Sequence, residues 1–404
     1  MSAATDPRDW GARLDDAADE LLPKLREVRR HLHRHPEPSG EEVGTTVFLR
    51  EALVGEGVEV REGPGGCGLV VDGGSEPGSK GRVAWRGDID ALRLHDLKTV
   101  DYRSEREGVM HACGHDAHAT CALGAIWLLK RLEREGALPW PVAWRAILQP
   151  AEETATGALE MVEAGALDGV GAIFSLHADP TRDVGQVGLR DGALTAACDW
   201  IEVKVEGRGG HAARPHESTD PIAAAAQLIS SIYAFIPRAV DSHDPVVVTI
   251  GKIDGGYNAN VIPESLTLAG TMRTLSEDVR RRAQERMREL VEGFSKASGC
   301  EIDVEFTAGL AAVMNDPGAN AVLRRAATGS LGVENVEEIE RPSMGGEDFA
   351  AYGEKVPAAM MRLGVRSEGV GNQPLHSPLF DIDERALAIG ARVLARAAIL
   401  WSAT

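Results

Sequence analysis

The sequence predicts an α/β protein built on a mostly parallel sheet, with a smaller α+β module inserted into it. Three observations carry this. First, short apolar runs alternate with helical stretches, and each run ends in ionisable residues. Arg82–Arg86 leads into Asp88 and Asp90, Val142–Leu148 into Glu152 and Glu153, and Ala172–Leu176 into His177. That is the texture of buried parallel strands whose C-terminal ends face one cleft. Second, from about Gly192 the order becomes β-α-β-β-α-β, which is the ferredoxin-like arrangement. Third, the α/β texture returns after about Phe306. The expected partition is a main domain over 1–191 and 309–404, interrupted by the module at 192–308.

Along the chain, apolar positions at helical spacing (Leu14, Ala18, Leu21, Leu25, Val28, Leu32) predict a helix up to His35-Pro36, with a start or a kink at Pro23. Ser39-Gly40-Glu41-Glu42 has the form of a capping box for a second helix through Val43, Val47 and Leu53. The basic HLHRH tract lies on the first helix ahead of its stop, where a surface or ligand-supporting role is expected. Gly63–Gly68 spells G-x-G-x-x-G, but a strand rather than a helix follows it, so it reads as a turn and not a dinucleotide site. Within the module, Trp200–Val205, Val246–Ile253, Ser265–Arg273 and Glu301–Phe306 read as strands, with helices over Asp220–Ile236 and Ser276–Ser295. A helix near Gly318–Thr328, a strand at Ala358–Leu363 and a helix at Glu384–Leu400 complete the chain.

Length, charge and cysteine usage narrow the function. At 404 residues there is room for two domains. No apolar run reaches the length of a membrane span, and the N-terminus has neither the basic start nor the apolar core of a secretion signal. The net charge of −19 disfavours nucleic acid and anionic membrane surfaces as partners. Five scattered cysteines argue against a disulfide framework and for a cytoplasmic location.

The chemistry concentrates in Met110–Thr120, M-H-A-C-G-H-D-A-H-A-T, a loop entering an apolar helix. Three imidazoles, a thiol and a carboxylate this close together are the donors of a borderline-soft divalent metal. Spacing alone does not choose among His111, His115 and His118.

The ordered landmarks HLHRHPEPSGEE, RGDIDAL, MHACGHDAHAT, LQPAEE, SLHADP, GRGGHAARPH, NANVIPESL, MGGEDFAAY and LHSPLFDID span nearly the whole chain. Together they resemble the dinuclear metal-dependent amidohydrolases and aminoacylases. That group includes hippurate hydrolase and the indole-acetyl-amino-acid hydrolases, and it is related to glutamate carboxypeptidase and succinyl-diaminopimelate desuccinylase. The resemblance implies a metallopeptidase-like catalytic domain and an inserted lid that mediates a homodimer, with assembly into a tetramer left open. It implies two divalent transition-metal ions (Mn, Zn, Ni or Co) held by Cys113, His115, Glu153, His177 and His376. Asp90 would orient a ligand, with Asp116 and His118 in supporting positions. Glu152 matches the general base that activates a metal-bridged water. From the lid, His211 would stabilise the oxyanion across the dimer, and Asn260 and Arg273 would hold the substrate carboxylate. The M-G-G-E-D loop at Met344–Asp348 would form a glycine-rich wall of the substrate pocket, with Glu347 either supporting the metal ligands or serving as a helix-start carboxylate. Arg93 and the His95-Asp96 pair depart from the family's pattern just beyond RGDIDAL.

The implied activity is hydrolysis of N-acyl amino acids in the cytoplasm. A dipeptidase or carboxypeptidase would share every residue named. A catalytically idle metal-binding scaffold is the rival of another class, and it is disfavoured because Glu152 and all five ligand candidates are present. Neither a G-x-S-x-G nucleophile turn nor an H-E-x-x-H helix occurs.

Overall fold

The computed structural model describes residues 10–403, and the chain divides into two compact units. The first runs to Gly192 and resumes over Met314–Arg341 and from Asp348 onward; the second comprises Ala193–Val313 and Pro342–Glu347. The short return at 342–347 is marked by no hydrophobic pattern in the sequence.

The first unit begins with α1 (Trp10–Arg34) and α2 (Val43–Glu51). There follow β1 (Glu59–Glu62), β2 (Leu69–Gly74), β3 (Arg82–Asp88), α3 (His115–Arg134) and β4 (Ala143–Gln149). The segment closes with α4 (Gly157–Glu163), β5 (Val170–Asp183) and β6 (Val187–Leu189).

The second unit carries β7 (Ala197–Glu206), α5 (Pro221–Phe235), β8 (Val246–Gly255), β9 (Ser265–Thr274), α6 (Glu277–Ser298) and β10 (Glu301–Leu310). Its four strands form an antiparallel sheet in the order β8-β9-β7-β10. Val203, Val205, Leu268, Leu228 and Met287 build a separate apolar core under α5 and α6. Asp220 caps α5 by accepting from the amides of Ile222 and Ala223, and Pro221 fills the first helical position.

Returning to the first unit, the chain adds α7 (Pro317–Leu331), β11 (Val336–Glu338), β12 (Ala358–Arg366) and α8 (Arg385–Trp401). The eight-stranded sheet runs β1-β2-β4-β3-β5-β12-β6-β11. Its centre, β4-β3-β5-β12, is parallel, while β1 and β2 flank it antiparallel. The α/β architecture with a mostly parallel sheet and a ferredoxin-like insertion is therefore as the sequence patterns predict.

The helix α3 is buried on every side from His115 to Leu129, as a helix wedged between a sheet and other helices must be. It lies on the sheet with α1 and α8 in one large core that includes Leu25, Leu123, Ile126, Trp85 and Leu394. Gly87 sets the close approach, because a Cβ there would fall 2.7 Å from the His118 carbonyl oxygen. The first turn of α3 is thereby seated at the end of β3.

Two local expectations are corrected. The first helix does not start at Pro23: α1 runs through it from Trp10, because packing of Leu14, Ala18 and Leu25 outweighs one lost backbone hydrogen bond. The capping box does not form. Glu37 instead accepts from the amides of Gly44 (3.2 Å) and Thr45 (2.7 Å), Ser39 donates to Asp90 (2.7 Å), and Glu42 accepts from the Ala151 amide (2.8 Å). Residues that would cap a helix locally are drawn to the ends of β3 and β4.

Candidate metal centre

The strand ends deliver their ionisable residues to one place. Asp90 follows β3, Glu152 and Glu153 follow β4, and His177 lies on β5. Gly114, at φ +90°, turns the chain into α3 between Cys113 and His115. A side chain there would be strained, and its Cβ would meet that of Ala178 at 3.0 Å. His376 is tied to the same loop by its amide, which donates to the Ala112 carbonyl (2.8 Å).

Among the described residues, only Ala151, Ala155 and His376 combine a side chain with positive φ. All three border this cluster. Such strain persists where surrounding structure over-determines it, as at functional sites.

Among the described residues, five sets of donors have ligand atoms within 4.8 Å of one another, and two of them share Cys113: Cys113 with His115 and His177, and Cys113 with Glu153 and His376. Cys113 Sγ is common to both, 3.6 Å from His177 Nε2. His376 Nε2 stands 3.5 Å from Glu153 Oε1. His115 Nε2 stands 3.8 Å from Glu152 Oε2 and 4.0 Å from Glu153 Oε1. His115 Nε2 and Glu153 Oε1 are buried and have no hydrogen-bond partner. Buried polar atoms left so are rare, and two facing each other across a thiol and imidazoles suit a cation between them.

The supporting hydrogen bonds separate the histidines that spacing could not. His115 Nδ1 donates to Asp90 (3.0 Å), so its Nε2 keeps a free lone pair. His177 Nδ1 donates to the Ala178 carbonyl (2.8 Å), with the same effect. His118 has both nitrogens engaged, Nδ1 with Asp88 (2.7 Å) and Nε2 with the Ala178 amide (2.8 Å). His111 is buried without a hydrogen-bond partner and stands in neither set; desolvation pushes its pKa down to about 3.

Electrostatics follow from burial and neighbours. Desolvation pushes the Cys113 thiol well up and lowers His177, with the Arg362 charge adding to the latter. Desolvation also raises Glu153. For Asp90, desolvation is outweighed by the hydrogen bond and charge of His115, and its carboxylate is held below the usual range. His115 goes the other way: burial alone would depress it, but Asp88, Cys113 and Asp90 raise it. Beneath the loop, buried Arg29 bonds Asp116 and Asp381 (2.8 Å each), and His33 Nδ1 bonds Asp116 (2.7 Å). His33 of the HLHRH tract is thus a buried support.

Sequence reasoning missed several members of this network. Asp348, next to Glu347, accepts from Arg86 (2.7 Å), Gln149 (2.8 Å) and the Ala158 amide (3.0 Å), and its own amide donates to Glu152 (3.4 Å). A buried arginine in an apolar strand, Arg86, was the available signal. Arg93 and Arg106 both pair with Glu41 at the surface, and Asp96 pairs with buried Lys98 (3.1 Å).

In the second unit, the exposed His211 pairs with Val261, and the Ala212 amide donates to the Asn260 carbonyl (3.1 Å). Arg273 donates to the Met344 carbonyl (2.9 Å). His211 and Asn260 lie beyond the Glu206/Ser265 end of the sheet, whereas Arg273 faces Cys198 at the other end. At 3.3 Å per residue the separation along β9 is about 26 Å.

Residues 84–399 match the model of peptidase family M20/M25/M40. The chain belongs to this family. It is 38% identical to N-acetyl-L-cysteine deacetylase of Bacillus subtilis, over 89% of this chain and 84% of that one. It is 34% identical to thermostable carboxypeptidase 2 of Saccharolobus solfataricus, over 96% and 98%. Among solved structures it is similar to the Bacillus subtilis YXEP protein, a dinuclear metal-binding M20 peptidase. The TM-score is 0.81, with 33% identity over 95% of this chain and 99% of that one. The M20 assignment makes the chain a hydrolase of amide C–N bonds that works with divalent metal ions. No helix among the described residues is long and apolar enough to cross a membrane.

Proposed function

We propose that this M20 enzyme hydrolyses the amide bond of N-acyl amino acids, releasing a carboxylic acid and a free amino acid. The observation that carries the reading is the pair of donor sets sharing Cys113, with the Glu152 carboxylate outside both but close to His115 and Glu153. Cys113, His115 and His177 would hold one ion, and Cys113, Glu153 and His376 the other. Imidazole and thiolate donors suit manganese, zinc, cobalt or nickel. When bound, the ions polarise the amide carbonyl and acidify the attacking water.

Glu152 then acts as general base: its carboxylate takes the proton from the water and returns it to the leaving nitrogen. The hydrogen bond from the Asp348 amide fixes its Oε1, leaving Oε2 turned toward His115. Asp90 holds the tautomer of His115 and, through the Glu153 amide (3.0 Å), the direction of the second ligand. His211 would donate to the oxyanion, and Asn260 and Arg273 would bind the α-carboxylate.

The separation within the second unit supports a homodimer joined through this lid. One copy does not bring residues about 26 Å apart to the same small substrate, whereas a partner supplying His211 and Asn260 would. Five free cysteines fit a cytoplasmic enzyme.

The test is a hydrolysis panel on metal-stripped enzyme with manganese, zinc, cobalt and nickel added back. It compares N-acetyl- and N-benzoyl-amino acids with dipeptides, since the carboxypeptidase relative favours a peptide substrate as the second reading. Glu152→Gln should lower kcat by ~10²–10⁴-fold with metal content unchanged; full activity would remove Glu152 from the mechanism. Mixing inactive His211→Ala and Glu152→Gln subunits should restore part of the activity. No recovery, with mixed dimers shown to form, would place His211 in its own subunit's site.

A further inference from the structure

Arg362 of β12 is the register partner of His177 on β5. Partners across a parallel pair project from the same face, with strands about 4.8 Å apart. The guanidinium is thus borne on the sheet face that carries the metal-ligand candidate, at the C-terminal side of the strands. On its other flank Arg362 faces Gly188 of β6, which has no side chain to offer it.

The half-buried Arg362 side chain makes no hydrogen bond or ion pair with any described residue. The neighbouring carboxylates are committed elsewhere. Asp179 accepts from the Thr181 hydroxyl (2.6 Å) and from Arg182 (3.1 Å). Glu337 pairs with Arg182 and accepts from Gln186 (3.1 Å). Asp183 pairs with Arg366 (2.7 Å).

A guanidinium in this position is costly to the free enzyme. It is partly desolvated without a counter-charge, and it adds positive charge beside a site that binds cations. An anionic guest removes both penalties, and the planar fork of arginine suits a carboxylate in particular. We propose that Arg362 is a specificity-determining residue that receives a second carboxylate of the substrate, so that the preferred substrates are N-acyl amino acids carrying two carboxylates. The inference rests on the amide-hydrolase reading above, in which Asn260 and Arg273 already serve the α-carboxylate.

The second carboxylate belongs either to a dicarboxylic acyl group or to an acidic amino acid, and the arms of the experiment separate the two. Metal-loaded wild type, Arg362→Met and Arg362→Lys are compared on N-succinyl-leucine against N-acetyl-leucine, and on N-acetyl-glutamate against N-acetyl-glutamine. In wild type one of these kcat/KM ratios should favour the dicarboxylate by ~10–100-fold, the range of a charge-assisted hydrogen-bonded pair. Arg362→Met should abolish that ratio, and Arg362→Lys should restore part of it. Calorimetric titration with glutarate is the second readout, with binding expected in wild type and lost in Arg362→Met at equal metal content.

A wild type indifferent to the second carboxylate, or a preference that survives Arg362→Met, overturns the inference while leaving the hydrolase reading intact. Failure to hydrolyse any N-acyl amino acid would instead remove the hydrolase reading. The glutarate titration then decides for Arg362 alone, and absence of binding to wild type overturns the inference.

Discussion

Replacing Asp90 by asparagine should weaken metal binding without disturbing the fold, for a reason that follows from counting donors. Three groups donate to this carboxylate: His115 Nδ1 to Oδ1 (3.0 Å), and the Ser39 hydroxyl (2.7 Å) and Glu153 amide (3.0 Å) to Oδ2. Asparagine keeps one acceptor oxygen and presents an NH₂ in place of the other. If that oxygen stays with Ser39 and Glu153, the NH₂ meets His115 Nδ1, which then keeps only the Asp90 backbone carbonyl (3.0 Å) as acceptor and loses the carboxylate. Nε2 is the atom facing Glu153 and Cys113, so the change weakens the ligand a cation needs by removing the negative charge behind it. If the amide flips, His115 keeps its tautomer, but the Ser39 and Glu153 donors lose their acceptor at a buried position.

Either outcome forfeits at least one charge-assisted hydrogen bond, ~1.5–3 kcal/mol. Supporting residues of this kind typically contribute 10–100-fold in metal affinity, or about 1.4–2.7 kcal/mol. Calorimetric titration of the metal-stripped protein with Mn²⁺ reads this directly. The expected result is a 10–100-fold weaker isotherm, with a thermal midpoint lowered more in the metal-loaded than in the stripped state. An Asp90→Asn variant that bound both ions with wild-type affinity would refute the supporting role of this carboxylate.

Gly114→Ala should cost the fold ~1–2 kcal/mol for a left-handed residue and further crowd Ala178, so a lower denaturation midpoint together with reduced metal content is expected. Retention of both would mean that the turn does not set the spacing of Cys113 and His115. The Arg29 cluster makes the protein acid-sensitive. Burial opposes the charge of Asp116, but Arg29 and His33 outweigh it and hold its pKa well below the usual range; Arg29 and Tyr102 do the same for Asp381. The stability these carboxylates contribute is complete above their unfolded pKa of about 3.9 and is lost as pH falls below it toward the depressed folded values. Denaturation midpoints measured from pH 6 to pH 2 should fall steeply below pH 4. Arg29→Met, which leaves buried carboxylates without their cation, should be less stable at neutral pH by ~3–5 kcal/mol and flatter in acid. Equal slopes would exonerate the cluster.

Much of the architecture could be read from local pattern. The strands at 82–88, 143–149 and 358–366 and the helices at 277–298 and 385–401 lie where apolar periodicity puts them, because a buried face writes its period into the chain. Capping was read less well. Ser39 and Glu42 have the form of a cap, yet the donors and acceptors that claim them, Asp90 and the Ala151 amide, come from strands far along the sequence.

The ionisable ends of three strands and the cluster at 110–120 are properties of the sequence itself and indicate a metal site in one cleft; the hydrolase reading was carried by the resemblance of the ordered landmarks. Which imidazole keeps a lone pair was decided only by the tertiary structure. His111, His115 and His118 are chemically alike and closely spaced. One is buried with no partner, one hands its proton to Asp90, and one is held from both sides by Asp88 and Ala178. The unpaired guanidinium of Arg362 is of the same kind, for an unspent valence becomes visible only after every neighbour has been assigned, and those neighbours are brought together by folding.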